Sequence, residues 1–343
     1  MRLFLSALLL ALPAAPALAQ LPAGEPDRFL SKYVGLDAKQ IAQAKRGEVV
    51  TKTLNVGDQD EVALFGIVAI DVPRAQVTRR LADLPSFLRA PGRSAFALFS
   101  EPATTADVAA LSADASDVEA LKKCRPGDCD VKIPGQTIEE FSRSIDFSSP
   151  HAAAQVNALA RQRAVQYVNA YRRGGTAAML DYGDQKTDHS AGAAFAQLLA
   201  ESPYLYDYVP EFRKYLESYP SGSLPGASDA IYWSMDRLPS LRPIFGITHL
   251  TTWSPAGAPL TLVAAKQLYA SHYFLGAFTL TTVLDRPDAP SGAGGVYWIV
   301  VQRLHLDHLP SGGLLNIRGR VIGKLQEQMK NELAGRKAAF EGK

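Results

Sequence analysis

Two titratable side chains interrupt the most apolar part of the sequence. Lys266 and His272 both lie at even positions of the stretch 260–284. Side chains two residues apart share one face of a β-strand, so an unbroken alternation would place both groups on one apolar surface. A buried lysine or histidine needs a partner or a lowered pKa, and such groups concentrate at functional sites. Two interpretations stay open: the pair lines a cavity, or it faces water and polar helices.

A second polar group lies further along, where Arg303, His305 and Asp307 share a face by the same spacing. An arginine at a cavity mouth would bind a carboxylate or a phosphate. A solvent-facing edge and a metal site are the alternatives. Tyr232 and Trp298 on neighbouring strands add the aromatic groups that are typical of ligand pockets. The candidate ligand-binding residues are therefore Tyr232, Lys266, His272, Trp298, Arg303 and His305.

The spacing of these groups does not indicate a resident metal. The run Arg303-Leu-His305-Leu-Asp307-His308 resembles the H-x-H-x-D-H motif of metallo-β-lactamase-fold hydrolases, with Arg303 in the first histidine position. None of the six histidines follows His308 to supply further ligands. H-E-x-x-H, G-x-S-x-G, P-loop and G-x-G-x-x-G signatures are missing as well. We expect no metal and no cofactor, while a histidine general base, His272 or His305, stays an alternative.

The first twenty residues, MRLFLSALLLALPAAPALAQ, have the order of a secretory signal peptide. Arg2 precedes a short apolar run, and small residues end in Ala17-Leu18-Ala19. The run is too short to cross a bilayer, although an N-terminal anchor helix is the alternative interpretation. We expect cleavage after Ala19, so that 1–19 is the signal peptide and the protein is periplasmic or secreted.

The only two cysteines lie in the segment Cys124-Arg-Pro-Gly-Asp-Cys129. Pro-Gly favours a turn that brings the two sulfurs together, and an exported protein meets an oxidising compartment. The spacing predicts a disulfide between Cys124 and Cys129, which would stabilise the fold by roughly 2 kcal/mol. A redox role and a metal site are the alternatives, but the spacing is not C-x-x-C and no second pair completes a zinc site.

Composition excludes two further classes of function. The formal net charge is +2, and no dense stripe of Lys and Arg marks a nucleic-acid surface. Beyond the leader, no stretch reaches the roughly 18 consecutive apolar residues of a membrane helix. We therefore expect no nucleic-acid partner and no integral membrane protein after signal removal. The sequence names no protein partner.

Periodicity and turn signals predict an order of helices and strands of the α+β class. After an N-terminal helical arm at 20–47, we expect one domain at 48–340 with a helical insertion at about 94–221. The predicted helices are 38–46, 75–84, 151–172, 177–182, 191–200, 210–218 and 314–333. The predicted strands are 48–54, 61–72, 95–99, 131–133, 230–236, 244–253, 260–284 as two strands or one bent strand, and 296–306.

This order resembles the helix-grip fold of the START and polyketide-cyclase-like superfamily over about 48–84 and 226–340. The resemblance implies a curved antiparallel sheet gripping a long C-terminal helix, with an apolar cavity between them. Separately, the CRPGDC segment resembles one in an uncharacterised family of exported bacterial proteins, which implies no activity.

Three functions follow as hypotheses. The first is a periplasmic binding or carrier protein for an apolar or amphipathic small molecule, such as a lipid, held between the sheet and the C-terminal helix. The second is a secreted hydrolase or cyclase with a histidine general base. The third is a structural envelope protein that docks a partner through its helical insertion.

Overall fold

The computed structural model describes residues 26–90, 92–237, 241–286, 289, 294–307 and 317–342. The predicted signal peptide at 1–19 and its cleavage site after Ala19 lie outside the described residues. Among the helices that are described, none combines the length and the apolar character needed to cross a membrane.

The protein is built on one eight-stranded antiparallel sheet, whose strand order is β1-β2-β10-β9-β8-β7-β6-β3. A separate two-stranded ribbon pairs β4 with β5. The strands are β1 Val50–Leu54, β2 Glu61–Ile70, β3 Arg93–Leu98, β4 Asp181–Tyr182, β5 His189–Ser190, β6 Ala227–Asp236, β7 Ile244–Trp253, β8 Leu260–Ala270, β9 Phe274–Arg286 and β10 Gly295–Leu306.

Eleven α-helices are described, most of them between β3 and β6. They are α1 Asp27–Lys32, α2 Ala38–Lys45, α3 Arg74–Ala82, α4 Leu84–Phe87, α5 Ala115–Leu121, α6 Gly135–Ser144, α7 Ala152–Gly174, α8 Ala191–Ala200, α9 Pro203–Tyr208, α10 Pro210–Ser218 and α11 Ile317–Glu341. The fold is thus the predicted α+β class, with a large antiparallel sheet and a long C-terminal helix. We call the helices between β3 and β6 the helical insertion.

Local sequence explains several of these elements. Asp37 caps α2 by accepting a hydrogen bond from the Gln40 backbone N–H at 2.8 Å, and the Gln40 side chain accepts from the Asp37 N–H in return. Gly127 has φ of 83°, as the turn between the cysteines requires, and Cys124 and Cys129 form the predicted disulfide. The stretch 260–284 divides into β8 and β9, joined by a turn at 271–273.

Two short predicted elements were wrong. Residues 177–182 do not form a helix: a single 3₁₀ turn, Gly175–Ala178, is followed by β4. Gly175 adopts φ of 57°, a conformation that stops a helix and that glycine tolerates. Residues 131–133 are not a strand: Lys132 donates to the Ser271 carbonyl oxygen and Ile133 accepts from the Gly183 N–H, and no ladder continues because Pro134, the N-cap residue of α6, follows directly.

Both faces of the sheet are covered, and each face has its own apolar core. Odd residues of β2 and β10, with even residues of β8 and β9, pack against the helical insertion and α1. The alternate residues of the same strands face α3, α4 and α11. We call these the insertion face and the C-terminal-helix face.

The C-terminal helix approaches β2 most closely at Gly66. A Cβ atom at this position would lie 2.5 Å from Leu333 Cδ1 and 2.9 Å from Met329 Sδ. Further along the helix, Lys337 Nζ donates to the Ala69 carbonyl oxygen at 2.6 Å. Because residue 66 is a glycine, Met329 and Leu333 of α11 can pack directly against the backbone of β2.

Gly66→Ala is expected to lower the free energy of unfolding by about 1 to 3 kcal/mol, as overpacking typically does. Gly246→Ala is the matched control, because a Cβ there in β7 would meet its nearest atoms at an ordinary 3.6 Å. Urea denaturation followed by circular dichroism measures both variants. Equal stabilities for the two would contradict a close approach of α11 at Gly66.

Candidate functional site

A cavity of about 350 Å³ lies on the C-terminal-helix face of the sheet. Its floor is formed by β6 to β10, and its walls are formed by α4 and α11. The helix packs on β1 and β2 through Met329 and Leu333, so the middle strands remain open to the cavity. The apolar lining includes Phe87, Leu88, Leu250, Val263, Ala265, Phe274, Ala277, Trp298, Val300, Leu304, Leu325, Met329 and Leu333.

A polar stripe crosses this apolar floor. Thr248 of β7 is the register partner of Gln267 of β8, and Thr279 of β9 is the partner of Gln302 of β10. All four are half-buried and line the cavity. Among the described residues, the side chains of Gln267, Thr279 and Gln302 find no hydrogen-bonding partner. They are therefore available to the polar groups of a ligand that is otherwise apolar.

Two arginines stand at the edge of the cavity, next to the predicted aromatic residues. Arg93 pairs with Asp236 at 2.8 Å, and its guanidinium lies 5.5 Å from the ring centre of Tyr232. Arg336 lies 5.8 Å from the ring centre of Trp298 and donates to the Phe87 carbonyl oxygen. Tyr232 and Trp298 thus both line this cavity. Burial raises the pKa of Tyr232, so its hydroxyl stays neutral.

The other four predicted residues do not line this cavity. Lys266 lies on the insertion face, is 2% exposed and donates to Thr176 Oγ1 at 2.7 Å. Its Nζ is 3.9 Å from the ring centre of Phe195. No described carboxylate forms an ion pair with it. Burial lowers the pKa of Lys266 to about 7.

His272 is in the turn between β8 and β9, where its Nε2 lies 2.9 Å from Asp117 Oδ1 of α5. It therefore does not continue the strand face that carries Lys266. The predicted alternation is interrupted at the turn because β8 ends at Ala270 and β9 begins at Phe274.

Arg303 and His305 of β10, with Asp307 directly after the strand, form a row of ion pairs on the insertion face. Arg303 pairs with Glu61 and, at 3.4 Å, with Glu201 at the end of α8. Burial raises the pKa of Glu61 to about 7, although the Arg303 guanidinium opposes the rise. The predicted shared face of Arg303, His305 and Asp307 is present, but its role here is contact with other protein groups.

The next two members of the row are paired in the same way. His305 Nε2 lies 3.2 Å from Asp58 Oδ2, and Asp307 accepts from Lys132 Nζ at 2.7 Å. Within the part of the chain that the structure describes, no three or more His, Cys, Asp or Glu side chains are arranged to hold a metal ion.

A buried histidine network was missed by the sequence analysis. His249 Nε2 lies 2.8 Å from Asp229 Oδ1, and its Nδ1 lies 2.8 Å from the Tyr171 hydroxyl of α7. Burial lowers the pKa of His249, although the Asp229 carboxylate opposes this. His249 is 3% exposed, and among the described residues neither it, Asp229 nor Tyr171 lines the cavities of about 350, 50 and 440 Å³. The network therefore connects α7 to β7 rather than presenting a base to a ligand.

The comparisons with known proteins are sparse. No protein-family model matches the sequence, and no curated protein matches it. Among solved structures, the chain is similar to the STAR-related lipid transfer protein (fragment 25–204) from Xanthomonas axonopodis, with a TM-score of 0.34 and 11% sequence identity over 83% of this chain and 93% of that chain. The α+β class rests on the strand order and the C-terminal helix described above, not on this similarity.

Lys266→Met is expected to raise the free energy of unfolding at pH 6 by a few kcal/mol. Each unit by which the folded-state pKa of Lys266 lies below its unfolded-state pKa corresponds to about 1.36 kcal/mol. The folded-state pKa of Lys266 is about 7, below the unfolded value of about 10.4. The free energy of unfolding of the wild type therefore rises with pH between about 7 and 10.4. The difference in stability between Lys266→Met and the wild type becomes smaller toward about pH 10. Urea denaturation at several pH values measures the difference.

Lys132→Met is the matched control, because Lys132 is equally buried but is paired with Asp307 and Asp184. Its removal leaves the buried Asp184 and the half-buried Asp307 without their cation and should destabilise the protein. If Lys266→Met also lowered the free energy of unfolding at pH 6, the claim that burial of the Lys266 ammonium destabilises the wild type would be wrong.

Proposed function

We propose that this protein binds or carries an amphipathic small molecule of the lipid class in the cavity between the sheet and α11. The observation that carries the proposal is the stripe of unpaired polar side chains, Gln267, Thr279 and Gln302, among the apolar residues of the cavity floor. Apolar walls with a few unpaired hydrogen-bonding groups are the usual composition of small-molecule sites. The volume of about 350 Å³ also lies within the range of such sites, roughly 300 to 1,000 Å³.

The geometry supports a definite orientation of the ligand. The apolar part would lie between Trp298, Val300 and Met329, where it is removed from water. Its polar groups would reach Gln267 and Gln302, whose amides both donate and accept hydrogen bonds.

The proposal includes export from the cytoplasm. The order of charged, apolar and small residues at 1–19 supports a signal peptide. The disulfide between Cys124 and Cys129 suits an oxidising compartment. A periplasmic or secreted carrier would meet lipids on the outer side of the membrane that it crosses.

The two alternative functions have less support in the geometry. His272 and His305 are each paired with an aspartate, and among the described residues neither lines the cavities of about 350, 50 and 440 Å³. The helical insertion forms one of the two apolar cores with the sheet, so its packed face is occupied by the protein itself.

Native mass spectrometry with lipid extraction tests the proposal on the full-length protein purified from the cell envelope. We expect a bound amphiphile in the wild type and a loss of at least about tenfold in occupancy for Ala265→Phe, which fills the cavity floor. Ala153→Phe adds the same volume at an exposed position of α7 and should retain the ligand. Protein that is recovered without any bound lipid, or equal occupancy in both variants, would refute the carrier function.

A further inference from the structure

A second cavity, of about 440 Å³, lies on the opposite face of the sheet. It is enclosed by α5, α6 and α7 of the insertion and by β7 and β8. Phe141, Val156, Tyr167 and Ile247 are buried in its wall. The Tyr167 hydroxyl is already used, because it donates to the Leu268 carbonyl oxygen at 2.7 Å. The interior is therefore mainly apolar surface.

The mouth of this cavity is polar, and among its described lining residues the cation, Arg163, is paired. Gln136, Arg163 and Gln166 line it and are exposed to solvent. Arg163 makes a two-pronged ion pair with Glu140 and also donates to Gln166 Oε1 at 2.7 Å. An anionic head group would find no unpaired positive charge at this mouth.

One carboxylate oxygen in the cavity lining has no protein donor among the described residues. Asp117 is 8% exposed and lines the cavity. Its Oδ1 lies 2.9 Å from His272 Nε2, whereas no described residue donates a hydrogen bond to its Oδ2. This oxygen keeps accessible surface and has no protein donor, so it can accept a hydrogen bond from a donor on a bound molecule.

We propose that this second cavity is a separate binding site for an apolar molecule that carries one hydrogen-bond-donor head, a hydroxyl or an amino group. The head donates to Asp117 Oδ2, and the apolar body lies between α7 and β7. An engineered apolar cavity of about 150 Å³ holds benzene, so 440 Å³ accommodates a body of several rings or a medium-length chain. The site lies on the other face from the proposed lipid cavity and does not depend on it.

Three fluorescent probes with one ring system test the head-group chemistry on the full-length protein. They are 9-anthracenemethanol, 9-(aminomethyl)anthracene and 9-anthracenecarboxylate. We expect the alcohol or the amine to bind, and the better of the two identifies the head group. The carboxylate should bind at least about tenfold more weakly, because it places an anion beside Asp117. Equal binding of all three probes, or no binding of the alcohol and the amine, would overturn the proposal.

Cavity-filling variants locate the bound probe. Ala160→Phe fills the second cavity and should reduce probe affinity at least about tenfold, whereas Ala265→Phe fills only the first cavity and should leave it unchanged. Ala170→Leu repeats the test with a smaller side chain if Ala160→Phe does not fold. Asp117→Asn should abolish the discrimination against the carboxylate. Loss of probe binding only in Ala265→Phe would place the probe in the first cavity and refute the second site.

Discussion

All ten residues of β2 are buried, so the sheet is stable only if both of its faces are covered. Water is removed from the insertion face by the helices between β3 and β6, and from the other face by α3, α4 and α11. Apolar burial drives this arrangement at roughly 25 cal/mol per Å² of surface. The three-layer construction, and with it the possibility of one cavity on each side, follows from the strongly apolar sequence of this strand.

Charged residues decide where the insertion docks on the sheet. The row on β10, Arg303, His305 and Asp307, pairs with acidic and basic groups from outside that strand. Buried ion pairs contribute little net stability, but leaving one partner unpaired is costly. Two of the partners, Glu201 and Lys132, belong to the helical insertion, so a shift of the insertion along β10 would separate both of these pairs. The charges therefore specify the position of the layer more than they strengthen it.

Periodicity was sufficient to predict most elements. The bounds predicted for β7, α8 and α10 are those of the structure, because alternation and capping signals are local. The candidate site was harder, since a period of two shows which residues share a face but not which layer covers that face. Lys266 and Trp298 were grouped as pocket residues, yet they lie on opposite faces of the sheet. That assignment depends on the strand order, which is set by contacts far apart in sequence.

The polar stripe was visible in principle. Gln267 interrupts the odd positions of β8, after Val263 and Ala265, in the same way as Lys266 interrupts the even ones. Only the pairing register of the strands shows that polar residues of neighbouring strands lie side by side, Thr248 beside Gln267 and Thr279 beside Gln302.

The position of α11 at the edge of the sheet determines the route by which a ligand of the proposed kind would reach the cavity. Gly66 and the contact from Lys337 to Ala69 hold the helix against β2, while the central strands beside it keep half-buried side chains facing outward. A ligand of the proposed kind would therefore enter beside α11, and its exchange would not require the twenty-five-residue helix to detach from the sheet.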